Sequence, residues 1–141
     1  MLDELDYYKS NEHFFFKAGD DLEKVCNAPK EAIGVYVIYI LKDGRVELVY
    51  IGSSGKVNQD GSINSEIAGL YDEIVNGILF GKARKISWKK KLKEEKIDAL
   101  DIYWYETFDQ NHEHIPSFLA SNILQNHLDF LGSLPKWNEN F

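Results

Sequence analysis

Two apolar runs in the first half of the chain are separated by a short polar stretch. Residues 33–40 and 46–51 are rich in β-branched and aromatic side chains, and the sequence KDGR at 42–45 lies between them. Asp-Gly between two runs of this kind is a strong signal for a tight hairpin turn. The pattern therefore predicts a β-hairpin over residues 33–51.

Three later segments carry apolar residues at the spacing of an amphipathic helix. The first predicted helix covers residues 65–76 and ends at Gly77, a common C-terminal cap. The second covers 87–96, with Trp88 on its buried face and lysines facing outward. The third covers 116–131, because a proline opens it and a glycine follows its last apolar residue.

Residues 99–108 are aromatic and β-branched, and we predict a third strand there. Together with the hairpin, this strand predicts a small, mainly antiparallel three-stranded sheet flanked by helices, an α/β fold of the α+β type. The length of 141 residues suits one domain with one core. We assign the core to residues 33–138. Residues 1–32, which include the apolar stretch HFFFK at 13–17, form an N-terminal extension packed on it.

The composition narrows the classes of protein that need to be considered. With 44% hydrophobic and 28% charged residues, the chain has the composition of a soluble globular protein. No apolar run approaches the roughly 20 residues that a membrane span needs. We therefore expect no membrane partner and a cytoplasmic location. The single cysteine, Cys26, is expected to be packed rather than reactive.

Charge is distributed unevenly along the chain. The net charge of −7 disfavours broad, non-specific binding of nucleic acid. Residues 82–93 nevertheless hold seven of the 16 basic residues and no acidic one. This run is either a contact for the DNA backbone, through side chains such as Lys85 and Lys89, or a solvated helix face. Lys56, in the polar loop at 52–65, has the same two interpretations: a phosphate contact or a solvated lysine.

The predicted hairpin carries a glycine and a tyrosine near the outer end of each strand. Gly34-Val35-Tyr36 lies in the first strand and Tyr50-Ile51-Gly52 in the second, with thirteen residues between them. This pair of tripeptides resembles the signature of the GIY-YIG nuclease superfamily. The order of elements and the sequence ILQNHLDFLGSLPKWN at 123–138 extend the resemblance, since the latter is similar to that family's closing helix and Pro-x-x-Asn tail.

The resemblance implies hydrolysis of a DNA phosphodiester with one divalent metal ion, Mg²⁺ or Mn²⁺. It makes Tyr36 the general base or the group that orients the attacking water, and Tyr50 the second tyrosine of the same cleft. Gly34 and Gly52 match the glycines that let the backbone pack tightly there. The alternative interpretation of both tyrosines is cross-strand aromatic packing with a solvated hydroxyl.

Two positions depart from the family pattern, which places an arginine in the first helix after the hairpin and a metal-binding glutamate in the last helix. Glu73 stands nearest to the expected arginine, and a carboxylate there would repel phosphate. Ala120 stands at the expected glutamate and cannot bind a metal ion. Arg84, one of two arginines in the chain, either reaches the cleft from a different backbone position or is a solvated surface charge.

Three explanations fit these departures: a natural domain that kept the fold and lost cleavage, a branch that supplies the arginine and the carboxylate from elsewhere, or a deliberately inactivated variant. The resemblance therefore predicts a GIY-YIG-type endonuclease that acts on DNA with Mg²⁺ or Mn²⁺ if the chain is active. The alternative is a non-catalytic module of the same fold, without a cofactor, that binds nucleic acid or a protein partner. The sequence predicts no oligomeric state.

Overall fold

Six strands and four α-helices follow one another in residues 2–141, the part of the chain that this computed structural model describes. The strands are β1 (Asn11–Phe16), β2 (Gly34–Lys42), β3 (Arg45–Ser54), β4 (Ile78–Leu79), β5 (Lys82–Ala83) and β6 (Ala99–Glu106). The helices are α1 (Leu22–Val25), α2 (Leu70–Asn76), α3 (Arg84–Glu94) and α4 (Pro116–Leu131), and a 3₁₀ helix (Asp3–Tyr7) precedes β1.

Four of the strands form one antiparallel sheet in the order β1-β6-β2-β3. The α+β class is confirmed, but the prediction of three strands is wrong, because β1 from the N-terminal segment adds a fourth. In β1 the buried Phe14 and Phe16 flank the exposed Phe15, which is the two-residue period of a strand. Three consecutive phenylalanines conceal that alternation in the sequence. β4 and β5 form a separate two-stranded hairpin.

The predicted hairpin is present as β2 and β3. Its central turn residues, Asp43 and Gly44, have φ angles of 52° and 73°. A type I′ turn requires positive φ at both of these positions, and its twist matches that of the two strands. The turn signal in the sequence was therefore sufficient to locate the hairpin.

Each predicted helix is present, but two of them start elsewhere. α2 begins at Leu70 rather than at residue 65, and the Leu70 amide donates to the Ala32 carbonyl at 2.8 Å. This contact is between segments distant in sequence, so local periodicity could not reveal it. α3 begins at Arg84, three residues before the predicted start at 87. α4 has the predicted bounds and is followed by Gly132 in the left-handed conformation, with φ of 78°.

The sheet has a hydrophobic core on each face. α2 and α3 contribute to the core that contains Tyr36 and Ile38, and Trp88 of α3 is buried there as predicted. α4 packs on the opposite face, whose core contains Val35 and Val37. Neighbouring residues of β2 thus belong to different cores, because side chains alternate across a strand.

The C-terminal tail covers the outer edge of β3. The Trp137 amide donates to the Val49 carbonyl at 2.8 Å. The Asn138 side chain donates to the Ile51 carbonyl and accepts from the Ile51 amide, both at 3.0 Å. An uncovered strand edge tends to pair with other chains, so these bonds complete the sheet beside the second motif tripeptide.

Two expectations for the whole chain concern the membrane and the cysteine. No helix within residues 2–141 has the length and apolar character that a membrane span requires. Cys26 follows α1, is 8% exposed and belongs to the same core as Phe16 and Tyr36. The cysteine is therefore packed, as predicted.

Candidate active site

The two motif tyrosines lie side by side on the α2–α3 face of the sheet. Tyr36 of β2 is fully buried and Tyr50 of β3 is partly buried, with their ring centroids 6.0 Å apart. Tyr36 is opposite Gly52 in the strand register. The hairpin therefore brings both tyrosines and the second motif glycine to one place.

Both motif glycines occupy positions where a side chain would collide with a neighbour. A Cβ atom on Gly52 would lie 2.4 Å from Cζ and 2.5 Å from the hydroxyl oxygen of Tyr36. A Cβ atom on Gly34 would lie 1.8 Å from the Tyr105 carbonyl oxygen on β6. Gly52 thus makes room for the Tyr36 phenol, and Gly34 allows β2 and β6 to approach.

Arg84 reaches Tyr36 from the first turn of α3. Its side chain is 1% exposed, and its Nη2 atom donates to the Tyr36 hydroxyl at 2.8 Å. Nη1 donates to the Glu73 carbonyl at 2.9 Å. The guanidinium carbon also lies 5.2 Å from the centre of the Tyr36 ring and 5.8 Å from that of Tyr50, within cation–π range. Of the two interpretations of Arg84, the structure supports the one in which it enters the cleft.

Gly77 provides the space that Arg84 occupies. A Cβ atom on Gly77 would lie 3.1 Å from the Arg84 guanidinium carbon and 2.3 Å from the Glu73 carbonyl oxygen. In the sequence Gly77 indicated only the end of a helix, and it does follow the last residue of α2. Its second role, to leave space for the Arg84 side chain, depends on the tertiary fold, so no local sequence pattern indicates it.

The Glu73 carboxylate lies at the outer side of this cluster. Its Oε1 atom is 3.5 Å from the Tyr36 hydroxyl and 3.6 Å from Arg84 Nη2. The Glu73 side chain is 34% exposed, in contrast to both of its partners. The position that the family pattern gives to an arginine thus carries a carboxylate, and the cationic group comes from α3 instead.

Burial controls the ionisation of Tyr36. Burial raises the pKa of the Tyr36 phenol far above its ordinary value, although the Arg84 guanidinium opposes that change. At neutral pH the hydroxyl is therefore protonated. It accepts a hydrogen bond from Arg84 and can donate its own proton to Glu73.

Three buried donors at the start of α3 lack partners. Arg84 Nε, Ser87 Oγ and Trp88 Nε1 form no hydrogen bond within residues 2–141. A buried donor without a partner costs about 1–3 kcal/mol, and such groups are uncommon in folded proteins. The N-terminal part of α3, which brings Arg84 to Tyr36, therefore holds three buried donors without partners.

The predicted substrate-binding lysines are not part of this cluster. Lys85 forms an ion pair with Glu23. Lys89 and Lys85 both line a 250 Å³ cavity whose other charged residues are Asp20 and Asp21. Part of the basic run thus faces acidic side chains around α1, as the helix-face interpretation implies. Lys56 is exposed on the loop after β3.

Ala120 is not near the tyrosines. It is 0% exposed in α4 and belongs to the core on the opposite face of the sheet, with Val35 and Val37. A glutamate at this position would enter an apolar core instead of facing Tyr36. The alignment that matched Ala120 to the family's glutamate therefore does not correspond to a position in the cleft.

Among the residues that contact the Tyr36 hydroxyl, Glu73 carries a carboxylate that could bind a metal ion. No group of three or more His, Cys, Asp or Glu side chains within residues 2–141 is arranged to hold a metal. One Glu73 oxygen faces Arg84, while the other has no hydrogen-bond partner in the described part of the chain. Mg²⁺ often keeps several waters and takes one or two carboxylates together with substrate phosphates. Glu73 fits that sparse coordination.

No family model matches this chain, and no curated protein and no solved structure matches it either. The resemblance to the GIY-YIG superfamily thus rests on the motif tripeptides, the order of elements and the segment 123–138, and it stays a prediction. The geometry of Tyr36, Tyr50, Glu73 and Arg84 does not depend on that resemblance.

Proposed function

We propose that this chain is a GIY-YIG-type endonuclease that hydrolyses DNA phosphodiesters with a divalent metal ion. The observation that carries the proposal is the 2.8 Å hydrogen bond from Arg84 to the Tyr36 hydroxyl, with the Glu73 carboxylate 3.5 Å from the same hydroxyl. A cation, a hydroxyl and a carboxylate within reach of one another can bind a phosphate and align a water molecule.

Arg84 supplies the permanent positive charge of the proposed site. A guanidinium is protonated at any physiological pH and matches two phosphate oxygens at once. The Nε of Arg84 has no partner in the described part of the chain, but it is buried, so a phosphate reaches it only when the cluster opens. In this role Arg84 replaces the arginine that the family pattern places in the preceding helix.

Tyr36 is assigned the orientation of the attacking water. A general base works best when its pKa is near the working pH, and burial raises the pKa of Tyr36 well above that range. A neutral hydroxyl held by Arg84 can still accept a hydrogen bond from water and donate one. Of the two roles implied by the resemblance, orientation is therefore the one that this arrangement supports.

Glu73 is the residue that would hold Mg²⁺ or Mn²⁺. When bound, the metal ion would neutralise charge on the phosphate and on the leaving oxygen. The side chain is 34% exposed and reaches the surface above Tyr36 and Arg84, which are each 1% exposed. A phosphate must displace this carboxylate from Arg84 before it can contact the guanidinium.

The covering of Tyr36 and Arg84 by Glu73 favours a second candidate, a non-catalytic module of this fold that binds DNA. Here Glu73 satisfies Arg84 permanently, the cluster stabilises the fold, and DNA contacts only the exposed lysines. The observation that favours this candidate is the complete burial of Tyr36 and Arg84.

Nicking of supercoiled plasmid in Mg²⁺ or Mn²⁺ tests the proposal. We expect nicking by the parent chain and a loss of about 100-fold in Tyr36→Phe, the size of effect that misplacement of a reacting group causes. Tyr71→Phe is the matched control, since the Tyr71 hydroxyl donates to the Glu23 carbonyl outside the cluster. Equal rates for the two variants, or no nicking by the parent, would refute the endonuclease proposal.

Glu73→Gln distinguishes the two candidates. In an endonuclease this variant loses cleavage while DNA binding, measured by fluorescence anisotropy, is retained or strengthened, because a negative charge is removed beside Arg84. In a non-catalytic module neither protein nicks DNA, and the variant binds DNA no more weakly than the parent.

A further inference from the structure

The sheet face that carries α4 is open to solvent near the turn end of the hairpin. α4 packs over Val35 and Val37, which lie near the start of β2. Beside the last turn of α4, a groove of about 950 Å³ runs between the 3₁₀ helix and the C-terminal tail. We call this the α4 groove, and its apolar lining includes Leu2, Val46, Leu48, Leu131, Leu134 and Pro135.

Apolar side chains at this groove are exposed rather than packed. Val46 of β3 is 66% exposed, and it lines the same groove as Leu131, which is 61% exposed. Phe130, next to Leu131 in the last turn of α4, is 79% exposed. Single exposed apolar residues are normal on a soluble protein, but a contiguous apolar patch usually marks an interface. The patch contains both a recess, the groove, and a projection, the last turn of α4.

The two walls of the α4 groove carry opposite charges. Asp3 lies on the 3₁₀ helix and also lines a cavity with Tyr103 and Tyr105 of β6. Lys136 lies in the tail, and the amide of the next residue, Trp137, donates to β3. Because β6 and β3 flank β2 on opposite sides, Asp3 and Lys136 lie on opposite walls. Both are exposed, and neither forms an ion pair within residues 2–141.

We propose that the α4 groove is the contact surface of a two-fold symmetric dimer, so that its occupant is a second copy of this chain. A two-fold axis brings the same patch of both copies together, and every contact between two residues occurs twice. The last turn of α4 in each copy then packs into the groove of the other. Asp3 of each copy faces Lys136 of the other, which gives two pairs of opposite charge.

The charges of the lining favour a second copy over a partner of one sign. Because Asp3 and Lys136 line the same groove, a uniformly basic or acidic partner would meet its own sign on one wall. The net charge of −7 opposes association at long range. Burial of the apolar patch therefore drives the contact, and the ion pairs fix its orientation. The α4 groove lies across the sheet from Tyr36, so this dimer is independent of the proposed nuclease activity.

Sedimentation velocity of the full chain, from micromolar to millimolar concentration, tests the proposal. We expect the parent to rise from the monomer mass towards twice that mass. Leu131→Glu should stay monomeric, because it places a charge in the apolar contact. Phe118→Glu is the matched control and should dimerise as the parent does, since Phe118 is 64% exposed on the same helix but does not line the groove. A parent that is monomeric throughout, or a Leu131→Glu variant that dimerises as the parent does, would overturn the proposal.

Two charge reversals test the two-fold arrangement on folded protein. In a dimer of identical copies, Asp3→Lys and Lys136→Glu each bring like charges together twice. Each variant alone should therefore dimerise about 10-fold more weakly than the parent. An equal mixture of the two variants forms both pairs of opposite charge again, so it should dimerise as the parent does.

The control for the mixture is Glu66→Lys, the same kind of charge reversal at an exposed position outside the groove. Mixed with Lys136→Glu, it should not restore parental affinity. If the mixture of Asp3→Lys and Lys136→Glu dimerises no better than either variant alone, the two residues do not face each other and the proposal is wrong.

Discussion

At the scale of single residues, Gly52 determines where the Tyr36 hydroxyl lies. Its missing side chain leaves the space that the phenol ring fills, at a distance of 2.4 Å from the position of a Cβ atom. The ring is buried between the sheet and Arg84, so it has no room to move aside. The glycine of the second tripeptide is therefore explained by packing against the tyrosine of the first.

Gly52→Ala should destabilise the protein by about 1–3 kcal/mol, as overpacking of a filled core does. Gly19→Ala is the control, because a Cβ atom on Gly19 meets nothing within 4 Å. Chemical denaturation measures both. A Gly52→Ala variant as stable as the parent would contradict the close packing of Tyr36 against this glycine.

Cys26 provides a prediction about pH. Burial raises the pKa of the Cys26 thiol to about 11, so the folded protein holds the proton more tightly than the unfolded chain does. The resulting stability is present below the ordinary thiol pKa and is lost as the pH rises through about 11. At pH 8, iodoacetamide should label the folded protein slowly and the chain in urea rapidly. Equal labelling rates would show that the thiol is accessible in the folded state.

At the scale of elements, the C-terminal tail is held to β3 by the Trp137 amide and by the side chain of Asn138. Both backbone groups of Ile51 depend on Asn138 for their hydrogen bonds. Asn138→Ala should cost about 1–3 kcal/mol, because two buried backbone groups lose their partner. Asn140→Ala, at an exposed position, should cost little. Hydrogen exchange at the Ile51 amide measures the effect, and unchanged protection in Asn138→Ala would contradict it.

The helix α4 allows a test of the family alignment. Ala120→Glu places a carboxylate in the core formed with Val35 and Val37, where an unpaired charge costs several kcal/mol. We expect a large drop in melting temperature and no gain in DNA cleavage. Asn122→Glu, on the exposed side of the same helix, should leave stability nearly unchanged. A stable Ala120→Glu variant with increased nicking would show that Ala120 faces the cleft.

The sequence predicted the elements whose ends have local signals. The Asp43-Gly44 turn and the C-terminal cap at Gly132 both require positive φ, and both were located correctly. The elements that were missed or displaced depend on partners distant in sequence. β1 pairs with β6, and α2 starts where Leu70 contacts Ala32.

The candidate site was predictable to a similar extent. Tyr36 and Tyr50 were placed by the hairpin, and helix phase put Glu73 next to the cleft. The entry of Arg84 was one of two open interpretations, because its approach depends on how α3 packs across Gly77. The location of Ala120 away from the cleft was missed for the same reason, since the spacing of residues along a helix does not specify which face of the sheet that helix covers.

At the scale of the whole molecule, the sheet separates two kinds of chemistry. One face holds a buried arginine and a surplus of hydrogen-bond donors, which suits an anion. The opposite face holds a cavity lined by three aspartates and three tyrosines, with no lysine or arginine in its lining. With a net charge of −7, the chain offers DNA only local attraction, so the proposed nuclease depends on Arg84 and the metal more than on long-range steering.

The central claim is that Arg84 serves DNA cleavage, and the chain contains its own control. It has two arginines, and Arg45 lies at the start of β3, beside the hairpin turn and away from the tyrosines. The decisive measurement is the single-turnover rate of plasmid nicking by the parent, Arg84→Lys and Arg45→Lys in Mn²⁺. We expect a loss of about 100- to 1,000-fold for Arg84→Lys, as for removal of one transition-state contact, and none for Arg45→Lys. Equal rates for the two variants would contradict the claim.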